Sequence, residues 1–221
     1  VGAAGCSPYL ADLMAKEGAW LLPAREAPED AVNAVLGSIP ALSLDALPLG
    51  LREAKRRIAV LTALADLGGV WPLETVTQVL TDLADAAVQA TITTLIKAEV
   101  ARGKLPAHDP VRLSLPGKPV IYHAPRRFGF MTLAPPAELE ADAEADAGMV
   151  VLAMGKMGAG ELNYSSDIDL ICLFDETRYD PDQYHDIRAA FVRVTRKMTA
   201  ILSDVRGGGY VFRTDLRLRP D

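Results

Sequence analysis

Between Met149 and Asp175 an apolar run of strand length breaks at Gly155, and a second apolar run opens on Asp167-Ile168-Asp169. The connecting text, GKMGAGELNYSSDIDLICLFD, fits few folds. Residues i and i+2 of a strand point to the same side, so Asp167 and Asp169 share one face. Glycines at 155, 158 and 160 let backbone N–H groups approach an anion. Carboxylates on a strand beside a glycine turn can grip a metal–nucleotide complex, so the stretch predicts phosphoryl or nucleotidyl transfer. The G-x-x-x-x-G-K-[ST] order of a Walker A loop is absent.

The second strand is expected over 167–174, apolar on both faces beyond Asp169 as in a sheet interior. Asp182 is the expected cap of an amphipathic helix whose apolar positions are Tyr184, Ile187, Phe191, Val194, Met198 and Ile201. A turn at Gly207-Gly208-Gly209 leads to a third strand over 210–218. There Arg213, Asp215, Arg217 and Arg219 alternate with Thr214, Leu216 and Leu218, giving one charged and one apolar face. If this strand lies beside the second, Asp215 joins Asp167 and Asp169 as a third carboxylate. Three clustered carboxylates repel, and Mg²⁺ (or Mn²⁺) relieves the repulsion because it takes oxygen ligands and keeps positions open for phosphates. Two ions about 3.5–4 Å apart can serve an in-line displacement. The expected catalytic and metal-binding residues are therefore Asp167, Asp169 and Asp215. Phosphate contacts are expected from Gly155, Lys156, Gly158, Ser165 and Ser166, with Lys156, Arg217 and Arg219 neutralising charge. The element order predicts an α/β core with helices to one side.

Residues 1–103 read as a helical region. Ser7 and Pro8 open a helix to about residue 22, a second runs over 51–67 to Gly68-Gly69, and a long apolar pattern follows Pro72. The basic residues Arg52, Lys55, Arg56 and Arg57 predict a solvated face. Residues 104–148 are proline-rich and end in an acidic run, which predicts a connector or insertion with a hairpin over 118–133. Residues 149–221 form the expected catalytic core, truncated at its C-terminal end. His108, His123 and His185 share no ligand spacing, and Trp20 and Trp71 read as packing residues.

A net charge of −6 argues against a broad nucleic-acid-binding face. Cys6 and Cys172 fit no metal spacing, and Cys172 reads as a small hydrophobe within its strand. No uninterrupted apolar run reaches the roughly 18 residues a membrane span needs, and a cytoplasmic location is expected. The first residue is Val1, which predicts a piece of a longer chain.

The signature GKMGAGELNYSSDIDLICLFD followed by YVFRTDLRLRP resembles that of the bacterial glutamine synthetase adenylyltransferase/adenylyl-removing enzymes, members of the DNA polymerase β-like nucleotidyltransferase superfamily. LREAKRRIAVLTALADLGGV and LETVTQVLTDLADAAV resemble the segment preceding it, so the likeness covers roughly residues 51–102 and 149–221. The resemblance implies an α+β fold, a polymerase β-like core of a small mixed sheet with helices on one side preceded by a helical region, and Asp167, Asp169 and Asp215 as metal carboxylates. It implies glutamine synthetase as protein substrate, ADP or ATP and phosphate as small ligands, and a PII-type signal protein acting on the intact enzyme. Nucleic acid and membrane are not expected partners. Asn163 and Thr214-Asp-Leu-Arg-Leu-Arg resemble the N-terminal half, which removes AMP from a tyrosine by phosphorolysis and releases ADP. The alternatives are ATP-dependent attachment of AMP to the same target and a non-catalytic nucleotide- or partner-sensing module. Ala159-Gly160 departs from the family, which more often has glycine followed by a larger residue.

Overall fold

The computed structural model describes residues 2–106, 121–122, 147–205 and 209–216. Helices α1 (Gly2–Cys6), α2 (Pro8–Ala24), α3 (Pro28–Ser38), α4 (Leu47–Leu67) and α5 (Leu73–Ala101) come first. Ser7 caps α2, its hydroxyl accepting from the Leu10 amide at 3.3 Å, and Pro8 stands at the helix start where its missing N–H costs nothing. The chain leaves α4 through Gly68 and Gly69, the latter in left-handed geometry at φ 64°. Thr81 and Thr91 sit buried in α5, and their hydroxyls donate to the carbonyls of Thr77 and Ala87, so neither is an unpaired polar group. By length and composition α5 could cross a bilayer, yet 67% of its most apolar window is buried inside the protein. It packs on α4 and serves as the core helix of this layer.

The expected solvated face on α4 is overturned. Arg52 is buried, and its guanidinium donates to the carbonyls of Pro48, Gly209 and Asp204. Arg56 and Arg57 both pair with Glu17 of α2, at 2.6 and 3.2 Å, and Lys55 stands 4.1 Å over the Phe212 ring. Residues one, four and five apart on a helix cannot all face water when α2 packs on one flank and Asp204, Gly209 and Phe212 lie on another.

The α+β expectation holds. Strands β1 (Ile121–Tyr122), β2 (Met149–Met154), β3 (Ile168–Phe174) and β4 (Thr214–Leu216) form one sheet in that order. It is mixed: β1 is parallel to β2, β2 antiparallel to β3, and β3 parallel to β4. Of the hairpin expected over 118–133, only β1 falls within the described residues, and it pairs with β2 rather than with a neighbour in that segment. Both flanks of the proline-rich stretch are anchored, with Leu105 and Ala147 buried and the Ala147 carbonyl accepting from the Tyr179 hydroxyl at 2.6 Å.

One side of the sheet is closed. Met149, Val151, Ala153, Ile168 and Leu170 are buried there, Phe174 stacks on Phe191, and helix α7 (Tyr184–Ser203) supplies the covering face. Asp182 is not its cap. It lies in a 3-10 turn, Pro181–Gln183, where its amide donates to the Asp180 carboxylate. On the other side Met154 is 45% and Leu173 50% exposed, with Asp169, Ile171 and Asp215 beside them. Strand β3 is therefore half open rather than buried on both faces.

Strand β4 opens at Thr214, later than the residue 210 expected. Val211 and Phe212 are buried, and both amides donate to the Leu202 carbonyl at 2.9 and 3.0 Å. Burial of these two side chains against the end of α7 turns the backbone away from β3 until Arg213, whose carbonyl accepts from Ile168. Gly207, Gly208 and residues 217–221 lie outside the described residues.

Candidate active site

The carboxylates meet through strand register. Asp169 is the direct partner of Asp215 across the parallel β3–β4 pair and of Met154 across β2–β3. Directly paired residues project to one side of a sheet, so Asp169 and Asp215 share the open face. They line a cleft of about 290 Å³ with Met154 and Ile171. Asp167 precedes β3 by one residue and is exposed, two positions from Asp169. Asp167 and Asp169 take part in no hydrogen bond or ion pair among the described residues.

Gly155 shapes this corner. Its φ is 54°, and a Cβ there would lie 2.7 Å from Oδ2 of Asp169. Only glycine allows both the backbone conformation and the approach of that carboxylate. The next residues form a short helix, α6 (Gly155–Ala159), where a tight turn was expected. Gly158 is buried against β2, and a Cβ on it would run into the Ala153 carbonyl. Lys156 is exposed on α6 and makes no ion pair among the described residues.

Asn163 organises the loop to the carboxylates. Its side-chain oxygen accepts from the Ser165 amide at 3.1 Å and from the Ser166 hydroxyl at 2.9 Å, while its own amide donates to Ser166 Oγ. The Ser165 N–H and Ser166 O–H expected to face a phosphate are thus engaged within the loop. Arg213 holds the same loop from β4, its guanidinium donating to the Ser165 carbonyl at 2.9 Å. The helical layer grips it as well: the Leu162 amide donates to Thr81 Oγ1 on α5, and the Tyr164 hydroxyl donates to Asp66 on α4. Burial and the Asp66 charge hold the Tyr164 phenol well above its usual range. Arg217 and Arg219 lie outside the described residues.

Sequence reasoning missed Asn163, Arg213 and Arg52 as organisers. For Asn163 the signal was present, since an asparagine two residues before a Ser-Ser pair is a common side-chain-to-backbone turn. Nothing local marks Arg52, because its acceptors at 204 and 209 are remote in sequence.

The donor set is all oxygen, which suits a hard divalent cation, and the missing Cβ at Gly155 leaves room beside Asp169 Oδ2. Among the described residues no three His, Cys, Asp or Glu side chains already converge on one metal position. The set therefore fits a cation in chemistry and strand placement, with Asp167 and Asp215 both exposed.

The profile of the glutamate-ammonia ligase adenylyltransferase family matches residues 2–114 and 131–221. The chain belongs to that family. The match takes in α1, α2 and α3, beyond the residues on which the sequence resemblance rests. Proteins named bifunctional glutamine synthetase adenylyltransferase/adenylyl-removing enzyme are similar along nearly the whole chain. That of Bradyrhizobium diazoefficiens is 43% identical over 229 residues, covering 100% of this chain and 20% of the relative. That of Rhodopseudomonas palustris is 40% identical over 99% of the chain and 20% of the relative. That of Brucella suis biovar 1 is 39% identical over 88% of the chain and 17% of the relative. The chain thus spans about a fifth of the length of these adenylyltransferase-family relatives.

Proposed function

We propose that this chain carries a metal-dependent nucleotidyl-transfer site that removes AMP from an adenylylated tyrosine of glutamine synthetase by phosphorolysis. The observation that carries the reading is the register pairing of Asp169 with Asp215 on the open face, with Asp167 two residues away and Gly155 clearing the approach. Family membership and the names of the relatives support an adenylyl group and glutamine synthetase as its bearer.

In this reading an oxygen of inorganic phosphate attacks the AMP phosphorus. A P–O–P bond forms as the bond to the tyrosine oxygen breaks, giving ADP and a tyrosinate that takes a proton from solvent. Asp167, Asp169 and Asp215 would hold Mg²⁺ or Mn²⁺, which when bound supplies positive charge to the crowded phosphoryl oxygens. Lys156, exposed and without an ion pair among the described residues, would add a further cation at the phosphates. Asn163 and Arg213 hold the loop that sets Asp167. The open sheet face gives a protein tyrosine room to reach the cleft. A cytoplasmic location and control by a PII-type protein in the intact enzyme belong to the same proposal.

The test supplies adenylylated glutamine synthetase, phosphate and Mg²⁺, with Asp169→Asn as control. Phosphate-dependent ADP that vanishes in the variant supports the reading. Pyrophosphate released from ATP and unmodified synthetase, with no ADP in the first assay, would replace it with the adenylylating direction.

A further inference from the structure

A larger cavity lies away from the carboxylate cleft and shares no lining residue with it. It measures about 680 Å³, between α2, α4, the loop at Tyr164–Ser165 and the turn at Gly209–Tyr210. Its floor is apolar, formed by Leu10, Leu13, Ala59 and Ala63, and the rings of Tyr9, Tyr164 and Tyr210 stand around it.

One cation of its wall has no carboxylate partner among the described residues. Asp12 is taken by Lys16 at 2.8 Å, and Asp66 keeps its negative charge while accepting from the Tyr164 hydroxyl at 3.2 Å. Arg56 is committed to Glu17. That leaves Lys55, whose ammonium lies over the Phe212 ring and meets no carboxylate among the described residues. Burial of this unpaired amine lowers its pKa to about 8. A largely buried ammonium held only by a ring face loses hydration that nothing in the wall replaces, and an anionic ligand would replace it.

We propose that this cavity binds a small organic anion, an aromatic or apolar body bearing one phosphate or carboxylate, with the anionic group against Lys55. The tyrosine rings and apolar floor take the body, and the volume is ample for a ligand of mononucleotide size. The ligand would touch Tyr164 and Ser165, two residues ahead of Asp167, so it could bias the loop that carries the first carboxylate. Binding itself stands whether or not the carboxylate cleft is catalytic.

Pyridoxal 5′-phosphate at pH 8 is the probe. Its aldehyde condenses with a neutral lysine amine, water leaves, and added borohydride delivers hydride to the C=N bond to fix a secondary amine that peptide mapping locates. An amine titrating near 8 is about half neutral at that pH whereas an ordinary lysine is almost wholly protonated, so Lys55 should label at least about tenfold faster than the exposed lysines. Phenyl phosphate and benzoate should each protect it, which tells phosphate from carboxylate preference, and inorganic phosphate alone should protect less than phenyl phosphate. Asp169→Asn should leave labelling unchanged. Lys55→Arg should abolish the label yet bind pyridoxine phosphate within about threefold of the parent, because the cation is kept. Label spread over exposed lysines, Lys156 as the main target, or no protection by either aromatic anion would overturn the proposal.

Discussion

The two sides of the sheet handle carboxylates in opposite ways. Behind the closed side, Glu99 of α5 is 2% exposed and accepts from Arg193 of α7 at 2.9 Å and Arg102 at 2.8 Å, with Lys197 at 3.8 Å. Three cations of the chain itself neutralise it. On the open side, Asp167 and Asp169 have no such partner among the described residues, although Arg213 is only a strand away and is spent on a backbone carbonyl. A carboxylate that serves packing is neutralised from within, because an unpaired buried charge costs several kcal/mol. One kept for an external cation must be left accessible and unpaired. The proposed site rests on this contrast more than on the number of acidic residues.

The largest effect should come from removing charge on the open side. Asp169→Asn is expected to lower phosphorolysis on the order of 10²–10³-fold while leaving the thermal midpoint unchanged or slightly higher. Activity within a few-fold of the parent would break the comparison at its functional end. Gly155→Ala should act through the same carboxylate, since its Cβ would press on Asp169 Oδ2 and its φ of 54° disfavours alanine. A loss of about tenfold in activity, with about 1–2 kcal/mol of stability, is expected from that strain. Activity and denaturant titrations on one preparation separate the two losses.

Behind the closed side the signs reverse. Glu99→Ala strands three cations, of which Arg102, Arg193 and Lys197 each keep partial access to water, so the expected cost is about 3 kcal/mol rather than the upper end for a fully buried pair. Equilibrium urea unfolding measures it, and a change below about 1 kcal/mol would mean the cluster is solvated in practice. Arg52→Ala removes a buried donor shared by the carbonyls of Pro48, Asp204 and Gly209, at an expected cost of about 2 kcal/mol. Because Gly209 lies shortly before β4, the variant should lose activity as well, which Glu99→Ala should not do to the same degree.

Much of this was legible from residue pattern. The glycine break, the alternation around Asp215 and the three-and-four spacing of α7 are local signals that mark both strands and the helix, while the Asp169–Asp215 register follows only once β4 is seen to pair with β3. What was not legible depends on partners remote in sequence. Arg52, Arg56 and Arg57 read as a solvated face because Glu17 and the carbonyls at 204 and 209 lie tens of residues away. The open face of β3 was hidden for a related reason: Ile171 and Leu173 look like core residues, and only the absence of a covering element among the described residues shows otherwise. The early turn of the chain at Val211-Phe212 depends on the free carbonyl at the end of α7, which pattern alone does not reveal.

The smallest effect tests how dry the closed side is. Cys172 faces α7 and lies near Thr195, and burial pushes its thiol up to about 11 despite the Thr195 hydrogen bond, which pulls the other way. Alkylation needs the thiolate, so at pH 8 only about one Cys172 in a thousand is reactive, and its rate should rise about tenfold per pH unit until the thiol titrates. Cys6 is exposed on α1 and should be modified first. Iodoacetamide labelling followed by mass mapping at pH 8 and pH 9 reads both sites in one experiment. Equal rates at the two cysteines would mean that α7 lifts from the sheet on the labelling timescale. In that case the contrast between a closed and an open side would describe a time average, and Glu99→Ala should then cost far less than about 3 kcal/mol.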